Sequence, residues 1–262
     1  MSIDRPYGVE GLIWIADRLL GPGGCPWDQE QTHDSLKKFL LEESYELFEA
    51  IDAEDLGSMK EELGDVLLQP IMHAQMEKLK GNFDIQNVAE LTCEKLIRRH
   101  PHVFGDVVAD STEAVLKNWD TIKRSEKGDE RSILAGVPKS LPSLLRAYDV
   151  SKRAARAGFE WPEIEAVWDK LHEEEAELRE AVEAQDQERI EEEVGDLLFT
   201  TVNIARWVGV EPEESLRRML NRFTERFAWM EANAEGPLHD LAPDEWDKLW
   251  NQAKVQSSKL LP

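Results

Sequence analysis

The stretch LLEESYELFEAI at residues 40–51 returns as LHEEEAELREAV at residues 171–182, and each copy is followed by a second acidic segment. These segments read KEELGDVLL at 60–68 and EEEVGDLLF at 191–199. In one ungapped register, the acids Glu42, Glu43, Glu46, Glu62 and Asp65 correspond to Glu173, Glu174, Glu177, Glu193 and Asp196. An internal repeat of this kind indicates two related domains in one chain.

Apolar residues repeat in the same register as the acids. Leu36, Leu40, Leu47 and Ala50 of the first copy correspond to Val167, Leu171, Leu178 and Ala181 of the second. Their steps of four, seven and three residues place them on one face of a helix. The chain is rich in helix formers and lacks alternating runs typical of strands. We therefore predict an all-α protein of two tandem related helical domains, with cores like four-helix bundles.

A segment rich in Gly, Pro, Ser and charge, SEKGDERSILAGVPKSLPS at 125–143, separates the two copies. Pro138, Pro142 and Gly136 disfavour an uninterrupted helix across it. The predicted parts are an N-terminal domain at 1–126, a linker at 127–140 and a C-terminal domain at 141–262. Each domain is expected to hold four or five helices, packed as a bundle or as half of one shared with a partner.

Charge and composition limit the class of protein. A net charge of −23 argues against a surface for duplex nucleic acid, which is bound through Lys and Arg. The sequence has no apolar run of the length that a membrane helix needs, and its N-terminal residues lack the pattern of a signal peptide. Cys25 and Cys93 are isolated thiols, as expected in a reducing compartment. We therefore predict a cytoplasmic protein without duplex nucleic acid or membrane as a partner.

In the second copy, acids take positions where a helix would bury apolar side chains. Glu174 fills the vacant place in the apolar series of its helix, and Glu177 follows on the flank of the same face. On the next helix the predicted inward residues are Ile190, Val194, Leu197, Thr201 and Ile204. Glu193 and Asp196 line the edge of that stripe, and Asn203 continues the edge.

Four carboxylates between two helices repel one another unless they are protonated, paired with Arg or Lys, or bridged by a metal ion. Oxygen ligands without His or Cys favour Mg²⁺ or Mn²⁺. The predicted metal-binding set is Glu174, Glu177, Glu193 and Asp196. The second, weaker candidate set is Glu43, Glu46, Glu62 and Asp65. An acidic helix alone would suit a solvated face, so it is the shared register in both copies that favours a metal site.

These motifs together resemble a known family. Glu-Glu-x-x-Glu followed, sixteen residues after its last acid, by Glu-x-x-Asp is similar to the signature of the all-α NTP pyrophosphohydrolases. The segments that resemble its two-domain MazG branch are GCPWD at 24–28, LEESYE at 41–46, ELGD at 62–65, RRHPHVF at 98–104, KRAARAGFEW at 152–161 and EEVGDLLFTTVNIAR at 192–206. The resemblance extends over essentially the whole chain.

The resemblance implies Mg²⁺-dependent hydrolysis of NTPs and dNTPs to a monophosphate and pyrophosphate, broad in base and serving nucleotide-pool housekeeping. It implies that the predicted ligands of the second copy hold the metal and are catalytic, with Glu173 beside them or assisting the attacking water. It further implies that basic and aromatic residues of the later helices bind the substrate. These residues are Arg222, Arg226, Trp250 and Lys254, with Lys152, Arg153 and Asn203 as further candidates.

The resemblance also implies that the C-terminal copy is the stronger catalyst, and the residues agree. Asn203 is replaced by Met72 in the first copy, which removes an amide from the edge of the site. Thr201 is replaced by Pro70, and an interior proline removes a helix hydrogen bond and kinks the chain. We therefore predict that the N-terminal copy is weakly active or structural, although its five acids are intact.

Three other interpretations stay open on the sequence alone. An acidic helical adaptor without turnover would also carry this charge, and a ferritin-like di-iron bundle would need paired Glu-x-x-His motifs, of which Glu30 to His33 is the sole match. His100 and His102 beside two arginines suit either phosphate or metal binding, or a rigid turn after a helix.

A homodimer is expected, because two-helix carboxylate layers commonly complete a bundle across a twofold axis.

Overall fold

The computed structural model describes residues 6–127 and 132–260, and in these ranges all regular secondary structure is helical. This confirms the all-α prediction. The chain divides into two compact units, Met1–Asp129 and Glu130–Pro262. Residues 128–131 of the predicted linker lie outside the described residues, and the division falls within that linker.

The N-terminal unit is organised around a hairpin of two long helices. Its helices are α1 (Val9–Leu20), α2 (Pro26–Gln29), α3 (His33–Asp52), α4 (Leu56–Leu79), α5 (Ile85–Arg99), α6 (Pro101–Phe104) and α7 (Thr112–Lys127). Helices α3 and α4 pack on each other, while α1 and α5 pack against α4. Ala16, Leu36 and Ile71 lie in the buried core that these helices share. Pro70 lies inside α4, which continues to Leu79, so the proline does not end the helix.

The C-terminal unit repeats this hairpin. Its helices are α8 (Ser143–Arg156), α9 (Ile164–Ala184), α10 (Gln187–Trp207), α11 (Pro212–Asn233) and α12 (Pro243–Leu260), with a short 3-10 helix at Leu238–Asp240. Helices α9 and α10 form the hairpin, and α8 packs on α10. A separate core, built around Met230, Leu249 and Ala253, joins α11 to α12.

The turns that join the two helices of each hairpin are alike, because residues at corresponding positions adopt the same backbone conformation and form the same N-cap. Glu54 and Gln185 both adopt a positive φ, 53° and 54°, at the end of the first helix. Asp55 and Asp186 follow as N-caps, and each side chain accepts hydrogen bonds from backbone N–H groups in the first turn of the next helix. Capping of this kind satisfies N–H groups that have no partner within the helix. The repeat read from the sequence is therefore a repeat of structure.

The face that α10 buries differs from the predicted stripe. Val194 is 41% exposed and Thr201 is exposed, so the prediction that both face inward is wrong. The buried positions are instead Glu193, Thr200 and Asn203, with Val202 beside them. The error has a physical cause. The prediction assumed that apolar side chains mark the buried face, whereas most of the side chains that α10 buries are polar.

No helix within the described ranges combines the length and the apolar character needed to cross a membrane.

Candidate metal centre and nucleotide site

Three of the four predicted metal ligands of the second copy lie together between α9 and α10. Carboxylate oxygens of Glu174, Glu177 and Glu193 lie within 4.8 Å of one another. Glu174 is only 4% exposed, in keeping with its place in the apolar series of α9. Asp196, one turn after Glu193, is exposed and lies outside this group. We call these three residues the C-terminal cluster.

Two basic side chains that the sequence prediction missed reach the C-terminal cluster. Lys170 Nζ lies 2.8 Å from Glu173 Oε1 and 2.8 Å from Glu174 Oε1. Arg189 Nε lies 3.4 Å from Glu193 Oε1. Lys170 and Arg189 each precede a buried glutamate by four residues, which is the spacing of ion pairs along a helix. That spacing was present in the sequence and would have identified both residues.

The C-terminal cluster keeps an excess of negative charge in spite of these cations. Partial desolvation raises the pKa of the Glu177 carboxyl; Glu193 and Glu174 raise it further, while Lys170 opposes them. Hydrogen bonds to Glu173 and Glu174 in turn raise the pKa of the Lys170 ammonium, which therefore stays charged. An all-oxygen donor set with excess negative charge fits a hard divalent cation such as Mg²⁺ or Mn²⁺.

The first copy brings its acids together in a similar way. Carboxylate oxygens of Glu43, Glu62 and Asp65 lie within 4.8 Å of one another, between α3 and α4. We call these residues the N-terminal cluster. Its composition is not identical, since the aspartate belongs to it whereas Glu46, the counterpart of Glu177, is exposed outside the three.

Positive charge distinguishes the two clusters. Desolvation raises the pKa of Glu43 and of Glu62, and neighbouring carboxylates raise it further. The positions of Lys170 and Arg189 are taken in the first copy by Phe39 and Ser58. Phe39 packs edge-on against Trp27, with ring centroids 5.9 Å apart, and so belongs to the apolar interior of its unit.

Two of the predicted substrate-binding residues meet on α11 and α12. The Arg226 guanidinium lies over the Trp250 ring, 5.9 Å from its centroid, and the Phe223 ring lies 5.2 Å from the same indole. Trp250 also packs against the α11–α12 core. Arg222 and Lys254 are exposed, one turn from Arg226 and Trp250 respectively. The group offers an aromatic face with positive charge beside it.

The structure gives Lys152 and Arg153 local partners. The Lys152 ammonium lies over the Tyr148 ring, 5.5 Å from its centroid. Arg153 donates hydrogen bonds of 2.7 Å to the Ala135 carbonyl and 3.2 Å to the Gly136 carbonyl. Arg153 therefore fastens the segment that precedes α8, and a contact of either residue with substrate stays a prediction.

Asn203 is buried rather than presented at the edge of a site. It is 2% exposed, its Oδ1 accepts a hydrogen bond from Ser151, and its Nδ2 donates to the Phe199 carbonyl. Arg206 donates to the same Ser151 hydroxyl at 2.7 Å and pairs with Glu160. Both polar atoms of the amide are thus used within the protein, where Asn203 ties α10 to α8. This placement speaks against the predicted contact of Asn203 with substrate.

The N-terminal unit has its own stacked arginine and tryptophan. Trp119 occupies the position of Trp250, and the Arg99 guanidinium lies 5.3 Å from its ring centroid. Arg98 and Arg99 both pair with Glu126, and their hydrogen bonds lower the pKa of that carboxyl to about 2. The basic end of α5 therefore already holds a carboxylate of the chain itself.

His100 and His102 lie at the junction between α5 and α6. His100 Nδ1 lies 2.7 Å from the Leu96 carbonyl oxygen, and Pro101 begins α6. His100 also packs edge-on against Trp119, with ring centroids 4.9 Å apart. This geometry favours the rigid turn over a metal site for the two histidines.

Comparison with known proteins agrees with this architecture. The model of the MazG nucleotide pyrophosphohydrolase domain matches twice, at residues 31–104 and 163–230. These ranges contain both carboxylate clusters, together with Arg222 and Arg226. Trp250, Lys254, Lys152 and Arg153 lie outside them.

Two relatives are similar to this chain along nearly its whole length. The chain is 45% identical over 249 residues to the nucleoside triphosphate pyrophosphohydrolase/pyrophosphatase MazG of Thermotoga maritima, covering 94% of this chain and 95% of the relative. It is 40% identical over 262 residues to the nucleoside triphosphate pyrophosphohydrolase of Escherichia coli K12, covering 96% and 99%. With two domain matches and relatives of this similarity along nearly its whole length, the chain belongs to the MazG nucleotide pyrophosphohydrolase family.

Proposed function

We propose that this protein hydrolyses NTPs and dNTPs to a nucleoside monophosphate and pyrophosphate in a Mg²⁺-dependent reaction, with broad acceptance of bases, in the cytoplasm. The C-terminal cluster carries the proposal, because it joins oxygen ligands for a hard cation with basic side chains in one place. Relatives named nucleoside triphosphate pyrophosphohydrolases support the substrate class.

In this proposal the C-terminal cluster holds the metal, with Asp196 one turn away as a fourth donor. Mg²⁺, or Mn²⁺ in its place, would polarise phosphate oxygens and lower the pKa of the attacking water. Glu173 is exposed next to Glu174 and accepts the proton of that water. The water oxygen forms a bond to phosphorus while the α,β-phosphoanhydride bond breaks, and pyrophosphate leaves.

Basic residues offset the charge of the substrate in an otherwise acidic protein. Lys170 and Arg189 lie at the carboxylates, where negative charge on the reacting phosphate develops. Arg226 and Trp250 supply a cation and an aromatic face on α11 and α12, suited to the triphosphate and the base. A base held by stacking is bound through a feature that all bases share, which supports broad specificity.

We further propose that two copies of the chain form a homodimer. Val194 and Leu198 lie on one face of α10, and both are exposed together with the neighbouring Phe199. Helix α11 adds Met219, Leu220 and Phe223, which are exposed as well. Exposed apolar side chains on two helices, α10 and α11, suit contact with the same surface of a second copy of the chain. Light scattering on the eluting protein should give twice the chain mass of 30.0 kDa.

Product analysis tests the reaction type. Purified protein is incubated with each NTP and Mg²⁺, and the products are separated by ion-exchange chromatography. We expect the monophosphate and pyrophosphate, and no turnover in EDTA. ADP and orthophosphate as the main products from ATP would contradict the proposal, and no turnover with any nucleotide would favour a binding protein.

A further inference from the structure

A lysine of helix α9, Lys170, lies against the C-terminal cluster. The Lys170 ammonium bridges Glu173 and Glu174, 2.8 Å from an oxygen of each, and Glu174 is almost fully buried. A buried carboxylate is costly to leave without a partner. Lys170 therefore supplies, within the chain, part of the compensation that a bound metal ion would otherwise supply.

We propose that Lys170 is a positioning residue that holds the Glu174 carboxylate of the C-terminal cluster in the metal-free protein and is displaced from it when a divalent cation binds. The proposal rests on the proposed function for the metal itself. Both cations need the Glu174 carboxylate, and two positive charges at one carboxylate repel each other. Metal binding at this cluster is thus an exchange of one cation for another.

The N-terminal cluster is the internal reference for this exchange. Desolvation and neighbouring carboxylates raise the pKa of Glu43 and Glu62, and Phe39 stands where the second copy has Lys170. The acids alone are therefore compatible with the folded hairpin, and Lys170 is an addition of the second copy. A lysine in this place lowers the affinity of the resting site for free metal while it gives the buried Glu174 carboxylate a partner.

The test measures Mn²⁺ binding without nucleotide by the loss of the free-ion signal in electron paramagnetic resonance. The full-length chain carries Glu43→Gln and Glu62→Gln, so that the measured site is the C-terminal cluster. In this background, Lys170→Met should raise the Mn²⁺ affinity about tenfold, the size of one partly screened charge contact. Arg179→Met is the matched control: Arg179 pairs with Glu175 on the same helix, away from the cluster, and should change the affinity less than about twofold.

Thermal melting provides a second readout of opposite sign. In EDTA, Lys170→Met should melt below the parent chain, because Glu174 is left buried without its partner, and saturating Mn²⁺ should remove that difference. A residue with a merely structural role would lower stability without raising metal affinity. Lys170→Gln and Arg189→Gln repeat the comparison with smaller changes, should Lys170→Met fail to fold.

The outcomes separate this proposal from the proposed function. Unchanged or weaker Mn²⁺ affinity in folded Lys170→Met and Lys170→Gln overturns the exchange, even if the parent chain hydrolyses NTPs. Tighter binding in the Lys170 variants supports the exchange, even if product analysis shows no pyrophosphate. An equal gain in Arg179→Met would show that only net charge matters, and would also overturn it.

Discussion

The two hairpins, α3–α4 and α9–α10, share a backbone plan and differ in where they put positive charge. In the first, desolvation and neighbouring carboxylates raise the pKa of Glu43 and Glu62, and Phe39 stands at the position of Lys170. In the second, Lys170 and Arg189 lie at the carboxylates. Since the five acids are common to both copies, the acids alone do not distinguish a catalytic copy. The two copies differ instead in the cations placed around these acids, and we propose that this difference marks the catalytic copy.

The largest expected difference between the two copies is the loss of activity when a glutamate of the cluster is replaced by glutamine. Glu174→Gln or Glu193→Gln should lower kcat at least ~100-fold, on the scale of losing a preorganised electrostatic contact. Glu43→Gln or Glu62→Gln should cost much less. Steady-state pyrophosphate release with each variant measures the difference. If the first-copy variants are inactive and the second-copy variants are normal, the N-terminal copy is the catalytic one.

Removing the two corresponding tryptophans, Trp250 and Trp119, should also have unequal effects on KM. Trp250→Ala should raise KM about tenfold, because stacking of a base on an aromatic ring is worth ~1–3 kcal/mol. Trp250→Phe should retain much of the affinity. Trp119→Ala is the matched variant in the first copy and should leave KM unchanged. An equal rise of KM in Trp119→Ala would mean that both units bind nucleotide.

The sequence predicted most of the fold and three carboxylates that the structure brings together, and the reasons are physical. Helix positions, the repeat and the burial of Glu174 follow from periodicity, which a sequence displays directly. The roles of Asn203 and Arg153 did not follow, since their partners Ser151 and Gly136 lie on other segments, brought near only by folding. Lys170 stands four residues before Glu174, at the spacing of a helical ion pair, but a lysine is not a metal ligand and does not belong to the pattern of carboxylates.

Stability without metal should reverse between the copies. In EDTA, Glu43→Gln/Glu62→Gln should melt a few degrees above wild type, because carboxylates that only repel one another lose charge. Glu174→Gln/Glu193→Gln should show no such gain, since Lys170 and Arg189 lose their partners. Repulsion among the acids, taken by itself, would give the second pair the same gain, and the ion pairs change that expectation.

Differential scanning calorimetry of both double variants measures this difference. Equal NaCl in all samples separates specific pairing from screening. Mg²⁺ at ~100 times its dissociation constant should add about 2.7 kcal/mol for each site that binds it. Identical melting of both variants and wild type, with and without Mg²⁺, would show that the clusters are solvated surface acids.

The smallest expected difference concerns a hydrogen-bonded chain that only the first hairpin contains. His33 Nε2 lies 2.6 Å from Glu77 Oε1, and His33 Nδ1 lies 2.7 Å from His73 Nδ1. The corresponding residues of the second hairpin are apolar: Ile164, Ile204 and Val208. Hydrogen bonds from Lys80, Asn82 and His33 lower the pKa of Glu77 to about 2, so this carboxylate stays ionised near neutral pH.

Burial and the charge of His33 lower the pKa of His73, so protonation of His73 favours the unfolded state. A group whose pKa is lowered on folding gives stability above its unfolded pKa of about 6.5, and that stability is lost as the pH falls through its folded pKa. Wild type should therefore lose more melting temperature than His73→Ile between about pH 7.5 and about pH 5.5. His172→Gln, which removes an exposed histidine from α9, should keep the wild-type slope. Parallel slopes for wild type and His73→Ile would mean that the histidine chain does not couple the stability of the first hairpin to pH.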